Sequence, residues 1–231
     1  MSGLRAGIRA LVLLRHGQTT WNAEHRIQGQ VDAELSATGR AQAARVAPYV
    51  ASLGPVAIWS SDLQRAAVTA AQVGDACGLP VRTDERLREF GLGEREGVTH
   101  GEYAAAHPAE YEHFVTGRWS AVPGAETLTE VRTRLEACLD ELADAVAPGE
   151  TAVVVSHGAA LRVAVEALVA GTQSEPSAYA GMHNCGVAVL QERPLRRDDE
   201  PRWRLVAYNR TVEELSATQG DPRFASVRAT G

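Results

Sequence analysis

The sequence predicts an α/β fold with three layers, α/β/α: a mostly parallel central sheet, helices on both faces and a small helical insertion. Three observations carry this expectation. The segments Leu11 to Leu14, PVAIWS (55–60) and TAVVVS (151–156) are short apolar runs of the kind that forms strands buried on both faces. Each run stops abruptly at a small or polar turn and leads towards a helical segment, an alternation that gives parallel strands joined by right-handed crossovers. All three turns then fall at one end of the sheet, where open α/β sheets bind ligands.

Taken in order, Leu11–Leu14 is the first strand and ends at Arg15-His16-Gly17. A polar stretch containing Gly29 reads as loop. Ser36 then offers an N-cap for an Ala-rich helix that stops near Gly54, with Pro48 inside expected to kink or split it. After the second strand, Ser60-Ser61-Asp62 offers N-cap side chains for a helix closed by Gly78, which puts Arg65 in its first turn. A brief strand at 80–82 follows. From Gly93 to about Gly124 the pattern breaks into two short helices across Pro108 and a loop, read as an insertion packed over the sheet edge. A longer helix from Thr127 to about Val146 carries Leu128, Val131, Leu135, Cys138, Leu139 and Leu142 at helical spacing. The third strand ends at Ser156-His157-Gly158, and its helix closes at Gly171. Two further strands fall at 186–191 and 203–209. The domain reading is a single unit over 1–210 with an insertion at 93–126, followed by a C-terminal tail at 211–231.

Composition narrows the function classes. A net charge of −6 argues against nucleic-acid or anionic-membrane binding, and no apolar run approaches the roughly 18 residues needed to span a bilayer. The apolar run after Arg5 and Arg9 is too short for a secretory signal, so the default compartment is the cytoplasm. Cys77, Cys138 and Cys185 are widely spaced and suit neither a disulfide framework nor a zinc site. All 23 basic residues counted as Lys+Arg are arginine. The absence of lysine excludes P-loop phosphate binding, protein-kinase chemistry and internal-aldimine enzymes, and it leaves the planar arginine fork as the anion clamp.

The three strand ends bring together Arg15 and His16, then Arg65, then His157. Arg65 sits where backbone N–H groups and the helix dipole also favour an anion. Two arginines and two histidines converging at one end of a sheet is a constellation suited to a phosphoryl group.

At this point the sequence resembles the histidine phosphatase superfamily, also called phosphoglycerate-mutase-like. The matching segments are Arg15-His16-Gly17, Ser61 to Ala66, Leu87-Arg88-Glu89 with Gly93 and Gly97, and Ser156-His157-Gly158. Leu35 to Gly39 and Pro123 to Thr127 also resemble recurrent family segments. The resemblance implies that His16 is the nucleophile and forms a phosphohistidine, its imidazole kept neutral by flanking guanidiniums. It implies that Arg15, Arg65, His157 and Asn22 bind the phosphoryl group, that Gln28 and Gly158 contact substrate, and that no metal or other cofactor is needed. Glu89, partly buried, would act as general acid and then as base. His25, His100, His107 and His113 read as surface residues, His183 as a candidate for the pocket mouth, and Arg118 and Trp119 as residues that could reach substrate from the insertion.

The expected activity is therefore hydrolysis of a small phosphorylated metabolite, such as a sugar phosphate. A phosphoglycerate-mutase activity and an inactive regulatory role are the alternatives. The segment FGLGEREG after Glu89 resembles the phosphatase branch, and all four pocket Arg and His residues are present. A homodimer is one assembly the resemblance allows.

Overall fold

The computed structural model describes residues 7–119, 122–171, 177–197 and 200–217. Its centre is a six-stranded sheet in the order β3-β2-β4-β1-β5-β6. The strands are β1 (Ala10–Arg15), β2 (Pro55–Ser60), β3 (Val81–Thr83), β4 (Thr151–Ser156), β5 (Val187–Glu192) and β6 (Trp203–Arg210). The first four run parallel, whereas β5 is antiparallel to both β1 and β6.

The unbroken apolar runs have a direct cause. Leu11 and Leu13 of β1 pack into one cluster, while Ala10, Val12 and Leu14 pack into the other. Strand side chains alternate between faces, so a strand covered on both sides carries apolar residues at every position. One face is covered by α2 (Ala37–Ala51) and α3 (Gln64–Cys77), the other by α6 (Leu128–Asp144) and α7 (Gly158–Ala170). On α6, Val131, Leu135, Cys138, Leu139 and Leu142 are buried, and Leu128 packs at the margin. Burial pushes the Cys138 thiol up to about 12, so it behaves as an apolar side chain. No helix among the described residues is long and apolar enough to cross a membrane.

Several local details differ from expectation. Helix α2 is not split by Pro48: it runs from Ala37 to Ala51 with Pro48 in its last turn. Helix α3 is not capped by a side chain of Ser60, Ser61 or Asp62. Its N-cap is Leu63, and the Gln64 amide donates instead to Asp32 Oδ1 at 2.7 Å from the preceding loop. A short helix α1 (Thr20–Ala23) follows β1, closed by a capping box between Thr19 and Asn22. Of the expected tail, Val212–Ala217 forms α8, with Val212 against the core and Glu213 paired to Arg45; residues 218–231 lie outside the described residues. The segment from Gly93 supplies α4 (His100–Ala106) and α5 (Pro108–Val115) on either side of Pro108. Its Tyr103 is fully buried in the same cluster as Phe90, Leu92 and Ile27, so the segment packs onto the core of the sheet.

Two glycines set the position of the first strand end. A Cβ on Gly17 would meet the Gly39 carbonyl oxygen at 2.4 Å, and one on Gly39 would meet the Gln18 carbonyl oxygen at 1.9 Å. Helix α2 therefore presses backbone to backbone on the turn that follows His16. A Gly-to-Ala change inside a helix ordinarily stabilises by up to about 1 kcal/mol. Gly39→Ala should instead destabilise this fold by about 1–3 kcal/mol, as overpacking does, read as a lower denaturant midpoint. A midpoint that holds or rises would contradict this packing.

Candidate active site

Strand order brings the three turns together. β4 lies between β2 and β1, with Arg15 in register with Ser156 and Ser60 with Val155. Beyond the last pairs, the His16 amide donates to the Ser156 carbonyl at 3.0 Å and the Ser61 amide to the Val155 carbonyl at 2.9 Å. His16, Ser61 and His157 thus leave three adjacent parallel strands at the same level.

His16 is 2% exposed. Its Nδ1 lies 2.7 Å from the Gly17 carbonyl oxygen, which can only accept, so Nδ1 carries the proton and Nε2 the lone pair. Burial first, then the guanidiniums of Arg65 and Arg15, hold this imidazole well below its ordinary value of 6.5. Neutrality at physiological pH is thereby built in.

Arg65 is 1% exposed. Its Nη1 and Nη2 donate to the Val31 and Gly29 carbonyls, each at 2.7 Å, and its Nε donates to His157 Nδ1 at 3.2 Å. Burial brings its pKa down to about 10, which leaves it charged. A guanidinium has five N–H donors, so two remain. Arg15 donates through Nη1 to the Met182 carbonyl, and its Nε is buried with no partner. Gly158 faces this side chain: a Cβ there would lie 3.1 Å from Arg15 Nε. Gly158 accordingly makes room for Arg15 and does not line the cavity.

His157 was expected to donate to the phosphoryl group, yet both its ring nitrogens are engaged within the protein. Nδ1 accepts from Arg65, so in the neutral ring Nε2–H donates to Ser61 Oγ at 2.9 Å. Burial and the neighbouring Arg65 push this imidazole well down too. Its ring centroid is 5.2 Å from that of His16.

A cavity of about 230 Å³ opens over these groups and is lined by Arg15, His16, Asn22, Gln28, Arg65 and Glu89 together with residues of the 93–126 segment. Thr19 organises two of the linings. Asn22 Oδ1 accepts from the Thr19 amide at 3.0 Å, and Gln28 Oε1 accepts from Thr19 Oγ1 at 2.9 Å. With both oxygens tied back, the NH2 ends of the two amides are the ends left for a ligand. Glu89 accepts three backbone N–H groups: Phe90 and Ala160 at Oε1, at 2.9 and 2.7 Å, and Ala159 at Oε2, at 3.1 Å. The last two belong to the first turn of α7, so the helix that begins after His157 also fixes Glu89.

The surface assignments hold for His25, His107 and His113, which are exposed, but not for His100. Placed first in α4 after the Thr99 cap, it lines the cavity beside Phe114, its Nδ1 3.2 Å from the Tyr111 hydroxyl. Trp119 is also in the cavity wall, Arg118 is exposed, and His183 borders a different depression near Arg45 and Glu213. Sequence reasoning missed Arg134 altogether. Its Nη1 donates to the carbonyls of Arg86 and Arg88, its Nη2 to that of Glu89 at 2.9 Å, and its Nε to Glu126. Gln30 Nε2 reaches the same Glu89 carbonyl at 3.2 Å. The signal was present: residue 134 is three after Val131 and four before Cys138, a charge on the buried stripe of α6. Among the described residues no group of three or more His, Cys, Asp and Glu could hold a metal ion.

Comparisons with known proteins match this geometry. The family model described as histidine phosphatase superfamily (branch 1) matches residues 11–211. A glucosyl-3-phosphoglycerate phosphatase of Mycolicibacterium vanbaalenii is 37% identical over 219 residues, 89% of this chain and 96% of that protein. A phosphoglycerate mutase-like protein of Arabidopsis thaliana is 40% identical over 156 residues, 66% of this chain and 67% of that protein. Among solved structures, mycobacterial glucosyl-3-phosphoglycerate phosphatase in complex with VO3 has a TM-score of 0.78 and 36% identity, covering 88% of this chain and 100% of that one.

The lowered histidines have a consequence for stability. Below pH 6.5 the unfolded chain protonates His16 and His157 while the folded chain does not, so the unfolded state binds more protons. Stability is therefore full above pH 6.5 and falls as pH drops towards the folded-state values, by up to about 1.4 kcal/mol per histidine per pH unit. The gap between denaturant midpoints at pH 7.5 and 5.5 should be wider in the wild type than in a His16→Asn/His157→Asn double variant, which keeps only the contribution of half-buried His100. Equal pH slopes in the two proteins would show that the rings are not held neutral.

Proposed function

The chain belongs to the histidine phosphatase superfamily, and from that premise we propose that it is a metal-independent phosphomonoester hydrolase working through a phosphohistidine on His16. The observation that carries this reading is the His16 tautomer: Nδ1 is tied to the Gly17 carbonyl, and the Nε2 lone pair sits in a ring that borders the cavity.

In the first step His16 Nε2 attacks phosphorus and the ester P–O bond breaks. Arg15 and Arg65, both in the cavity wall, take the phosphoryl oxygens, Arg65 through its two remaining N–H donors, assisted by the amides of Asn22 and Gln28. Glu89 gives its proton to the leaving alkoxide. In the second step Glu89 takes a proton from water, the oxygen attacks phosphorus, and the P–N bond breaks to release phosphate. His157 acts by holding Arg65, and Gly158 by admitting Arg15. These guanidinium and amide donors supply the positive field that a metal ion supplies elsewhere.

Glucosyl-3-phosphoglycerate leads the candidate substrates, since relatives matching nearly the whole chain carry that name. The three free thiols suit a reducing compartment such as the cytoplasm.

Free phosphate should be released from a panel of phosphomonoesters in excess chelator. Glu89→Gln should slow alkyl phosphate hydrolysis about a hundredfold or more, with a smaller loss for p-nitrophenyl phosphate, whose leaving group needs little protonation. Equal losses on both substrates would remove Glu89 from the acid role. Activity that requires an added metal, or 3-phosphoglycerate isomerised faster than phosphate is released, would overturn the reading.

A further inference from the structure

Asn184 reaches the catalytic turn from outside the cavity. It lies in the segment before β5, borders the depression near Arg45 and Glu213, and is absent from the cavity wall. Its Nδ2 nevertheless donates to the His16 carbonyl and to Asn22 Oδ1, each at 3.2 Å.

The segment that carries Asn184 is fastened on two sides. Towards β1, Arg15 donates to the Met182 carbonyl, and the Cys185 amide is shared between the carbonyls of Arg15 and His16 at 3.1 and 3.2 Å. Towards β6, Asn209 accepts from the His183 amide at 2.6 Å and donates to the Gly181 carbonyl at 3.1 Å. Cys185 and Asn209 hold φ values of 53° and 52°, a left-handed conformation that persists in residues other than glycine only where the surroundings enforce it. A Cβ on Gly186 would lie 2.6 Å from Asn209 Oδ1, so no side chain fits between the two pieces of chain.

Hydrogen-bond chemistry then sets two side-chain amides in turn. The His16 carbonyl can only accept, so the atom of Asn184 that faces it is the NH2. The second N–H of that group needs an acceptor, and so does the Thr19 amide. Asn22 Oδ1 meets both, at 3.2 and 3.0 Å. Turning the Asn22 amide over would set its NH2 against two donors and leave both without a partner. As it stands, Asn22 Nδ2 bonds no protein group among the described residues, and the side chain lines the cavity.

We propose that Asn184 is a positioning residue for phosphoryl transfer, fixing the Asn22 amide with its NH2 turned to the phosphoryl oxygens. This rests on the phosphomonoesterase reading above and deepens it. The backbone carbonyl of the nucleophile orients Asn184, and Asn184 orients a group that binds the phosphoryl.

A double-mutant cycle on kcat/KM for p-nitrophenyl phosphate tests this relay. Asn184→Leu keeps the volume and removes both donors. It should lower kcat/KM about tenfold, the scale of one hydrogen bond to a charged group, and Asn22→Ala should lower it by about tenfold or more. The double variant should fall no more than about twofold below Asn22→Ala, because Asn184 then has no amide left to orient. A merely structural Asn184 would cost the same factor in both backgrounds. Should Asn184→Leu fail to fold, Asn184→Ala enters the cycle with the same expectation. Losses that multiply, or an Asn184 variant within twofold of the wild type, overturn the relay and leave the phosphatase intact. A wild type that releases phosphate from no phosphomonoester overturns the phosphatase reading and the relay with it.

Discussion

The structure depends on keeping two guanidiniums charged in a strongly desolvated site where, among the described residues, no carboxylate is bound to either. Arg15 and Arg65 are both strongly desolvated, and the field of Glu89 is the largest opposing influence on each. A buried cation without a counter-ion is costly unless its donors are met, and here backbone carbonyls meet them: Gly29 and Val31 for Arg65, Met182 for Arg15. The loop between α1 and α2 therefore curls over α3, and the segment before β5 closes over β1. Both guanidiniums also border the cavity, and Arg65 keeps two N–H donors that no protein group takes.

The histidines follow from the same constraint. Beside two cations and away from water, neither ring can hold a second proton, so each has one N–H and one lone pair to place. His16 gives its N–H to Gly17 and keeps its lone pair. His157 gives its lone pair to Arg65 and its N–H to Ser61. Two residues that look alike in the sequence, each ending a buried strand before a glycine, are therefore set to different work by what surrounds them.

This marks how far the sequence could be read. The layers, the six strands and the convergence of Arg15, His16, Arg65 and His157 were legible because burial on both faces writes unbroken apolar runs, and strand–helix alternation fixes which strand ends share a side. What each ring nitrogen of His157 binds was not legible, since Arg65 and Ser61 meet it only through tertiary contact. His100 was misread because a cap at Thr99 turns it inward, and the polar context of the segment hid that. Arg134 was legible in principle, as the one guanidinium on the buried stripe of α6, yet its partners are backbone carbonyls around Glu89, which leave no mark in a sequence. Glu89 itself was found by its motif, while its cradle of N–H groups at the start of α7 required the fold.

The central claim, that His16 Nε2 is the group that takes the phosphoryl, is tested most directly by trapping it. Enzyme mixed with substrate and quenched in alkali within one turnover should carry phosphate on a single peptide containing His16. That phosphate should be stable to base and labile to acid, as a P–N bond is, and should be absent from the His16→Ala protein. Phosphate found on another residue, or a His16→Ala protein that retains more than a few per cent of wild-type turnover, would contradict the account.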